Sequence, residues 1–253
     1  MNVYTMYFSP TGGTRRVARI LAGELNAPVE MDFSLPGKNY GMYRFEPGDV
    51  CFVAVPSFGG RVPKAAYENL TKVRAHGAAA VAVVTYGNRA YEDTLLELRK
   101  ALEGCGFKVV AAVAAVTEHS IMRQYGEGRP DKTDRQTLKV MAREIKKKLL
   151  KPESWKDFFV PGHYPYKEYH TIPLTPVADR SCSQCGLCAK RCPVRAISRK
   201  NPEKTDTDKC ISCMRCVSIC PQHSRKVNKM MVFAASVKLK KACSGRKNNE
   251  LFL

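Results

Sequence analysis

The sequence predicts a doubly wound α/β sheet of five parallel strands over residues 1–150, followed by a small cysteine-rich α+β unit over 179–228. Three observations carry this. Five short apolar runs (2–8, 28–33, 50–55, 79–85 and 108–116) alternate with stretches of helical spacing, as in βαβ units. The loops after the first, third and fourth runs are rich in glycine and hydroxyl side chains. Eight of the eleven cysteines crowd between residues 182 and 220.

The first run ends in Ser9-Pro10-Thr11-Gly12-Gly13-Thr14, and apolar positions 17, 20, 21 and 25 then mark one face of a helix. A helix N-terminus offers free N–H groups and the positive end of its dipole to an anion. Gly12 and Gly13 let the backbone approach closely, while Ser9, Thr11 and Thr14 supply hydroxyls. No Lys-Ser/Thr pair follows, and the spacing is not G-x-G-x-x-G, so neither a P-loop nor a dinucleotide fingerprint is present. The other reading of these residues is an ordinary N-cap.

The third run leads into Pro56-Ser57-Phe58-Gly59-Gly60-Arg61-Val62-Pro63 and a helix predicted over 63–75. The fourth ends in Tyr86-Gly87-Asn88-Arg89-Ala90-Tyr91, with a helix predicted over 91–103 and Gly104 and Gly106 as stop signals. After the fifth come a loop over 117–130 and a helix over 132–150, whose last turn is basic at Lys146, Lys147 and Lys148. Open parallel sheets bind ligands beyond the carboxyl ends of their strands, where the strand order reverses. The three loops meet on that edge. Phe58 and Tyr86 can flank a flat ring there or pack against their own loops. Gly59, Gly60 and Gly87 open a path for backbone groups, and Glu118, His119 and Ser120 lie by position at the outer rim.

The cysteines form two copies of C-x-x-C-x-x-C-x-x-x-C-P, offset by 28 residues: Cys182, Cys185, Cys188 and Cys192, then Cys210, Cys213, Cys216 and Cys220. This is the bacterial run for [4Fe–4S] clusters, in which the fourth cysteine ligates the other cluster. One cluster is therefore assigned to Cys182, Cys185, Cys188 and Cys220, and the second to Cys192, Cys210, Cys213 and Cys216. Structural zinc uses separated CxxC pairs rather than a fourfold run, and neighbours at this spacing make poor disulfide partners.

Residues 1–150 carry 22 Lys and Arg against 15 Asp and Glu, and residues 151–253 carry 20 against 8, which gives the formal +19. Such a field attracts acidic partners. Basic residues scattered without a groove-reading motif argue against nucleic acid. The longest apolar run is far below the ~20 residues of a membrane span, and no signal peptide opens the chain, so a cytoplasmic protein is expected. Residues 151–178 hold five prolines among six aromatics, too aromatic for a disordered linker. Residues 229–253 read as a basic tail with partly helical spacing, packed on the core or laid on a membrane surface.

The run Ser-x-Thr-Gly-x-Thr after the first strand resembles the phosphate loop of flavodoxins. With the loops at 56–63 and 86–91 and the doubled cysteine run, residues 1–228 resemble flavodoxin–ferredoxin fusion proteins of anaerobic microbes. The resemblance implies a flavodoxin-like five-stranded domain over 1–150 that binds FMN, a linker over 151–178 and a bacterial 2[4Fe–4S] ferredoxin domain over 179–228. FMN would be held by Ser9, Thr11, Gly12, Gly13, Thr14, Ser57, Phe58, Gly59, Gly60, Tyr86, Gly87, Asn88 and Arg89. The implied function is electron transfer between FMN, two clusters and an acidic redox protein. A redox or iron sensor, a maturation factor and a flavin-dependent reductase are the alternatives. Ordinary flavodoxins surround the flavin with acidic loops, whereas this chain has Arg15, Arg16, Arg61 and Arg89 there. One or both of Arg61 and Arg89 are expected to reach the ring and stabilise the reduced flavin; the other reading is that both point into solvent and only attract partners. After anaerobic purification, iron and acid-labile sulfide should each be found at about eight per chain; stoichiometric zinc without sulfide would overturn the cluster assignment.

Overall fold

The computed structural model describes residues 2–170 and 172–253. The first half runs β1 (Val3–Tyr7), α1 (Gly13–Ala22), β2 (Val29–Asp32), β3 (Arg44–Phe45), β4 (Val50–Pro56), α2 (Lys64–Leu70), β5 (Arg74–Ala75), β6 (Ala79–Tyr86), α3 (Thr94–Gly104), β7 (Lys108–Val116) and α4 (Lys132–Leu149). The second half adds β8 (Val177–Ala178), α5 (Leu187–Arg191), α6 (Arg215–Ser218), β9 (Arg225–Lys226), α7 (Lys229–Cys243) and β10 (Glu250–Phe252). The main sheet has the order β10-β7-β6-β4-β1-β2. Its five predicted strands are parallel, in the flavodoxin-like order, and the chain reverses direction across the sheet between β1 and β4.

Both sheet faces are covered, so the central strands read as unbroken apolar runs rather than alternating ones. Leu95, Leu98 and Leu102 of α3 and Leu70 of α2 pack on one face with Val53, Val55 and Val84. Val17 and Leu21 of α1 and Leu138 and Ile145 of α4 cover the other, with Phe52, Val81 and Val113. The capping box in which Asp131 and Asp134 serve each other's backbone fixes the start of α4. The helix predicted over 63–75 stops at Leu70, because Arg74 and Ala75 pair with Arg44 and Phe45 in a separate two-stranded ladder.

A sixth strand completes the main sheet. β10 runs antiparallel to β7, with Leu251 opposite Val113. The return path is held by Asn88, whose amide donates to the carbonyls of Cys243 (2.6 Å) and Gly245 (2.8 Å) while its Oδ1 accepts from Lys247 N–H (3.3 Å). Val116 N–H donates to Asn249 Oδ1 at 2.9 Å. The segment after α4 also lies against the sheet domain: the Asp93 carboxylate accepts from His163 N–H (2.9 Å) and Lys167 N–H (2.6 Å), and Phe158 and Val160 are buried in the α3 core.

Asn88 has a φ of 60°, which asparagine tolerates better than alanine. Asn88→Ala should lower stability by about 2–4 kcal/mol, since it strips two carbonyls of their donor and strains the backbone. Asn88→Gly, free of that strain, should lose somewhat less. Denaturant midpoints for both variants check this, and an unchanged midpoint would mean that the return path is held elsewhere.

Candidate functional site

The loops after β1, β4, β6 and β7 surround a cavity of about 240 Å³ over the carboxyl edge, at the reversal between β1 and β4. Thr11, Gly13 and Thr14 come from the first loop, Ser57, Phe58, Gly59 and Gly60 from the second, and Tyr86, Gly87 and Arg89 from the third. Thr117, Glu118, His119 and Ser120 close the side. Gly12, with φ of 94°, occupies the N-cap of α1 and provides no side-chain cap. Ser9 Oγ accepts from Arg15 N–H at 3.0 Å, which leaves the N–H groups of Gly13 and Thr14 without a partner inside the helix. Thr14 Oγ1 lies 2.8 Å from Thr85 Oγ1. Gly87 must lack a side chain, because a Cβ there would sit 2.7 Å from the His119 Cβ and closer still to its ring.

Ser9, Gly12 and Asn88 stand behind the wall rather than in it. Ser57 lines the wall and is held by Thr94 Oγ1 at 2.7 Å. Arg89 also lines it, paired with Glu92 at 2.7 Å. Arg61, expected at the ring, turns away: it grips Glu97 through two bonds of 2.8 and 2.7 Å and lies 5.0 Å from the Tyr166 ring centre. A carboxylate with matched fork geometry outcompetes an uncharged ring edge for a guanidinium. Tyr86 packs against Tyr91, and burial raises its phenol to about 12, so it remains neutral. The opposite wall was not legible from spacing. It comes from Ile172, Leu174, Ile211, Ser212 and Cys213, together with Ala235 and Leu239 of α7.

The cysteines form two rings. Cys182, Cys185, Cys188 and Cys220 line one small space, and Cys192, Cys210, Cys213 and Cys216 line another. Among the described residues no three His, Cys, Asp or Glu side chains close on a single ion. Each ring encloses a space, which suits a multi-atom inorganic core. The doubled motif recurs in the backbone: Gln184 and Ser212, Gly186 and Met214, and Arg195 and His223, each pair 28 residues apart, all adopt positive φ between 49° and 70°. Such turns are costly for non-glycine residues and persist where the surroundings enforce them. Ala196 N–H donates to Cys192 Sγ at 3.3 Å, and Cys220 Sγ lies 3.3 Å from Ser224 Oγ. Burial pushes the Cys213 and Cys216 thiols up to about 12, so taking up iron must displace their protons. Between these two cysteines, Arg215 donates to Ser9 O at 3.1 Å and to Ser34 Oγ, docking the inner ring on the first loop of the sheet.

Residues 181–224 match the model of the 4Fe-4S dicluster domain family. This part of the chain is a 4Fe-4S dicluster domain. Joined to the strand order above, it makes the chain a flavodoxin-like sheet fused to a ferredoxin-type domain. Among solved structures, a flavodoxin of Streptococcus pneumoniae TIGR4 is 18% identical, over 58% of this chain and 99% of its own, with a TM-score of 0.42. The rubredoxin oxygen:oxidoreductase of the anaerobe Desulfovibrio gigas is 20% identical, over 58% of this chain and 37% of its own, at 0.41. A flavodoxin from the domain Archaea is 14% identical, over 59% and 99%, at 0.38. No curated protein sequence matches the chain. Among the described residues no helix is long and apolar enough to cross a membrane.

His119 provides a pH test of the cavity wall. Its Nδ1 accepts from the N–H groups of Ile121 and Met122, both at 3.1 Å. Burial, reinforced by Arg89, lowers its pKa from 6.5 to about 4. Between those values the unfolded chain binds a proton that the folded chain refuses. The stability this residue contributes is therefore complete above pH 6.5 and is lost as pH falls toward 4. The difference in denaturant midpoint between wild type and His119→Gln should change over that window; a constant difference would place the imidazole in a protonatable setting.

Proposed function

We propose that this chain is an electron-transfer flavo-iron–sulfur protein, with FMN in the edge cavity and a [4Fe–4S] cluster in each cysteine ring. The observation that carries this reading is that Cys213, a member of the inner ring, lines the same cavity as Thr11, Thr14, Phe58 and Gly87. FMN supplies two-electron capacity and each cluster supplies one-electron steps. The residues bind and orient. The Gly13 and Thr14 N–H groups, the Thr11 and Thr14 hydroxyls and the positive end of α1 hold a phosphate. Ser9 shapes that loop through Arg15 N–H, and Gly12 gives it its left-handed turn. Phe58 and Tyr86 wall a flat ring, while Gly59, Gly60 and Gly87 leave room for its edge. Ser57 is fixed through Thr94, and Asn88 braces the third loop from behind.

Arg89 is the cation available to a flavin here, and its pairing with Glu92 offsets part of its charge. Arg61 is committed to Glu97, so any favourable charge on the reduced ring comes from Arg89 and the helix dipole. Ile172, Leu174, Ile211 and Leu239 line the cavity's far side with apolar side chains. That lining supports a carrier over a reductase of a small polar substrate. The formal charge of +19 favours an acidic redox protein as partner.

Thr11→Asp should weaken FMN binding by tenfold or more, about 1.4 kcal/mol, by placing a carboxylate against the phosphate. Fluorescence titration of apoprotein with FMN measures this, and paramagnetic resonance should show both reduced clusters intact. Equal FMN affinity in the variant would place the phosphate elsewhere.

A further inference from the structure

The two cysteine rings share one backbone design but differ in their surroundings. In the inner ring Cys192, Cys213 and Cys216 are buried, and Cys213 faces the edge cavity. In the outer ring Cys185 is exposed and Cys182 partly so, and none of the four ring cysteines lines that cavity. Gln184 and Leu187, on either side of Cys185, are exposed as well. Around them the surface is basic. Arg180 and Lys190 are exposed, and neither forms an ion pair among the described residues. Of the carboxylates bonded to this stretch, Asp179 is paired with Lys226, while Glu203, which accepts from Gln184 Nε2 at 2.8 Å, leaves one negative charge against the two cations.

We propose that the face around Cys185, with Leu187 at its centre and Arg180 and Lys190 on its rim, is the docking surface for a small acidic one-electron carrier protein. This rests on the cofactor reading above. The edge cavity offers such a carrier poor access, because Leu174 from the linker, Ile211 from the dicluster domain and Leu239 from α7 stand over it. The outer ring has no such cover. Cations in excess beside an exposed apolar residue suit an encounter that is steered electrostatically and then closes over a small dry contact. Each encounter moves one electron and no proton: the carrier is oxidised by one, and the cluster in the outer ring is reduced by one. The inner ring, joined to the sheet by Arg215, lies between that entry and the cavity.

The probe is a small acidic [2Fe–2S] ferredoxin of the plant type. Calorimetry with the oxidised probe and the holoprotein at low ionic strength gives the affinity without turnover. Arg180→Glu combined with Lys190→Glu should weaken binding by tenfold or more, and the difference should shrink at high salt as screening shortens the reach of these charges. In rapid mixing with the reduced probe, cluster reduction should slow in parallel, while reduction by a zwitterionic viologen stays at the wild-type rate. Lys238→Glu with Lys240→Glu, on α7, should change binding less than twofold. Unaltered affinity in the outer-ring variant, or a larger loss in the α7 variant, would overturn the proposal. If charge reversal impairs cluster loading, Arg180→Gln with Lys190→Gln gives the same comparison at smaller amplitude. Wild-type protein that binds no iron and sulfide would instead refute the cofactor reading, and the visible spectrum separates that failure from a misplaced docking face.

Discussion

One buried guanidinium seats the inner cysteine ring on the first loop of the sheet. Arg215 projects from between two cysteines of the inner ring, is 7% exposed, and is bonded to the Ser9 carbonyl and the Ser34 hydroxyl, with the Asp32 carboxylate 3.9 Å away. A buried cation is tolerated only when oxygens surround it, and here those oxygens belong to the first loop and the end of β2. The register of the dicluster domain on the sheet is thereby tied to the loop that opens α1. The far wall of the cavity, from Ile211 to Cys213, follows from that placement.

Identical covalent patterns do not give identical sites. The positive-φ turns at 184, 186 and 195 recur at 212, 214 and 223, so the local backbone is set by the cysteine spacing. What differs is tertiary: one ring is packed against a sheet and the other meets solvent. Burial and nearby hydrogen-bond donors are the levers that set cluster potentials. One duplicated motif thus yields two different redox environments without any change in ligands.

Most of this architecture was legible in the residues, for identifiable reasons. The parallel strands announced themselves because both of their faces are buried, and the cysteine run because its spacing is tied to cluster geometry. The loops at 9–14, 56–63 and 86–91 were placed correctly on one edge by topology. Side-chain destinations were not legible. Arg61 sits next to a cavity loop in sequence, but Glu97, 36 residues away, claims it. Asn88 reads as a ligand residue, yet its amide is spent on the chain returning at Cys243 and Gly245. β10 has three residues, too few to show any periodicity, and the polar run Ser244–Asn249 before it reads as a loop rather than as a path back to the sheet.

That return has a consequence for how the molecule is made. β10 follows the cluster cysteines in the chain but belongs to the sheet that precedes them. On the ribosome, β7 therefore emerges as an open edge and stays so until the whole dicluster segment has been synthesised. Bare edges invite pairing with other chains. The segment that carries the cluster cysteines thus leaves the tunnel while the edge of β7 is still bare, and only the last residues of the sheet close it.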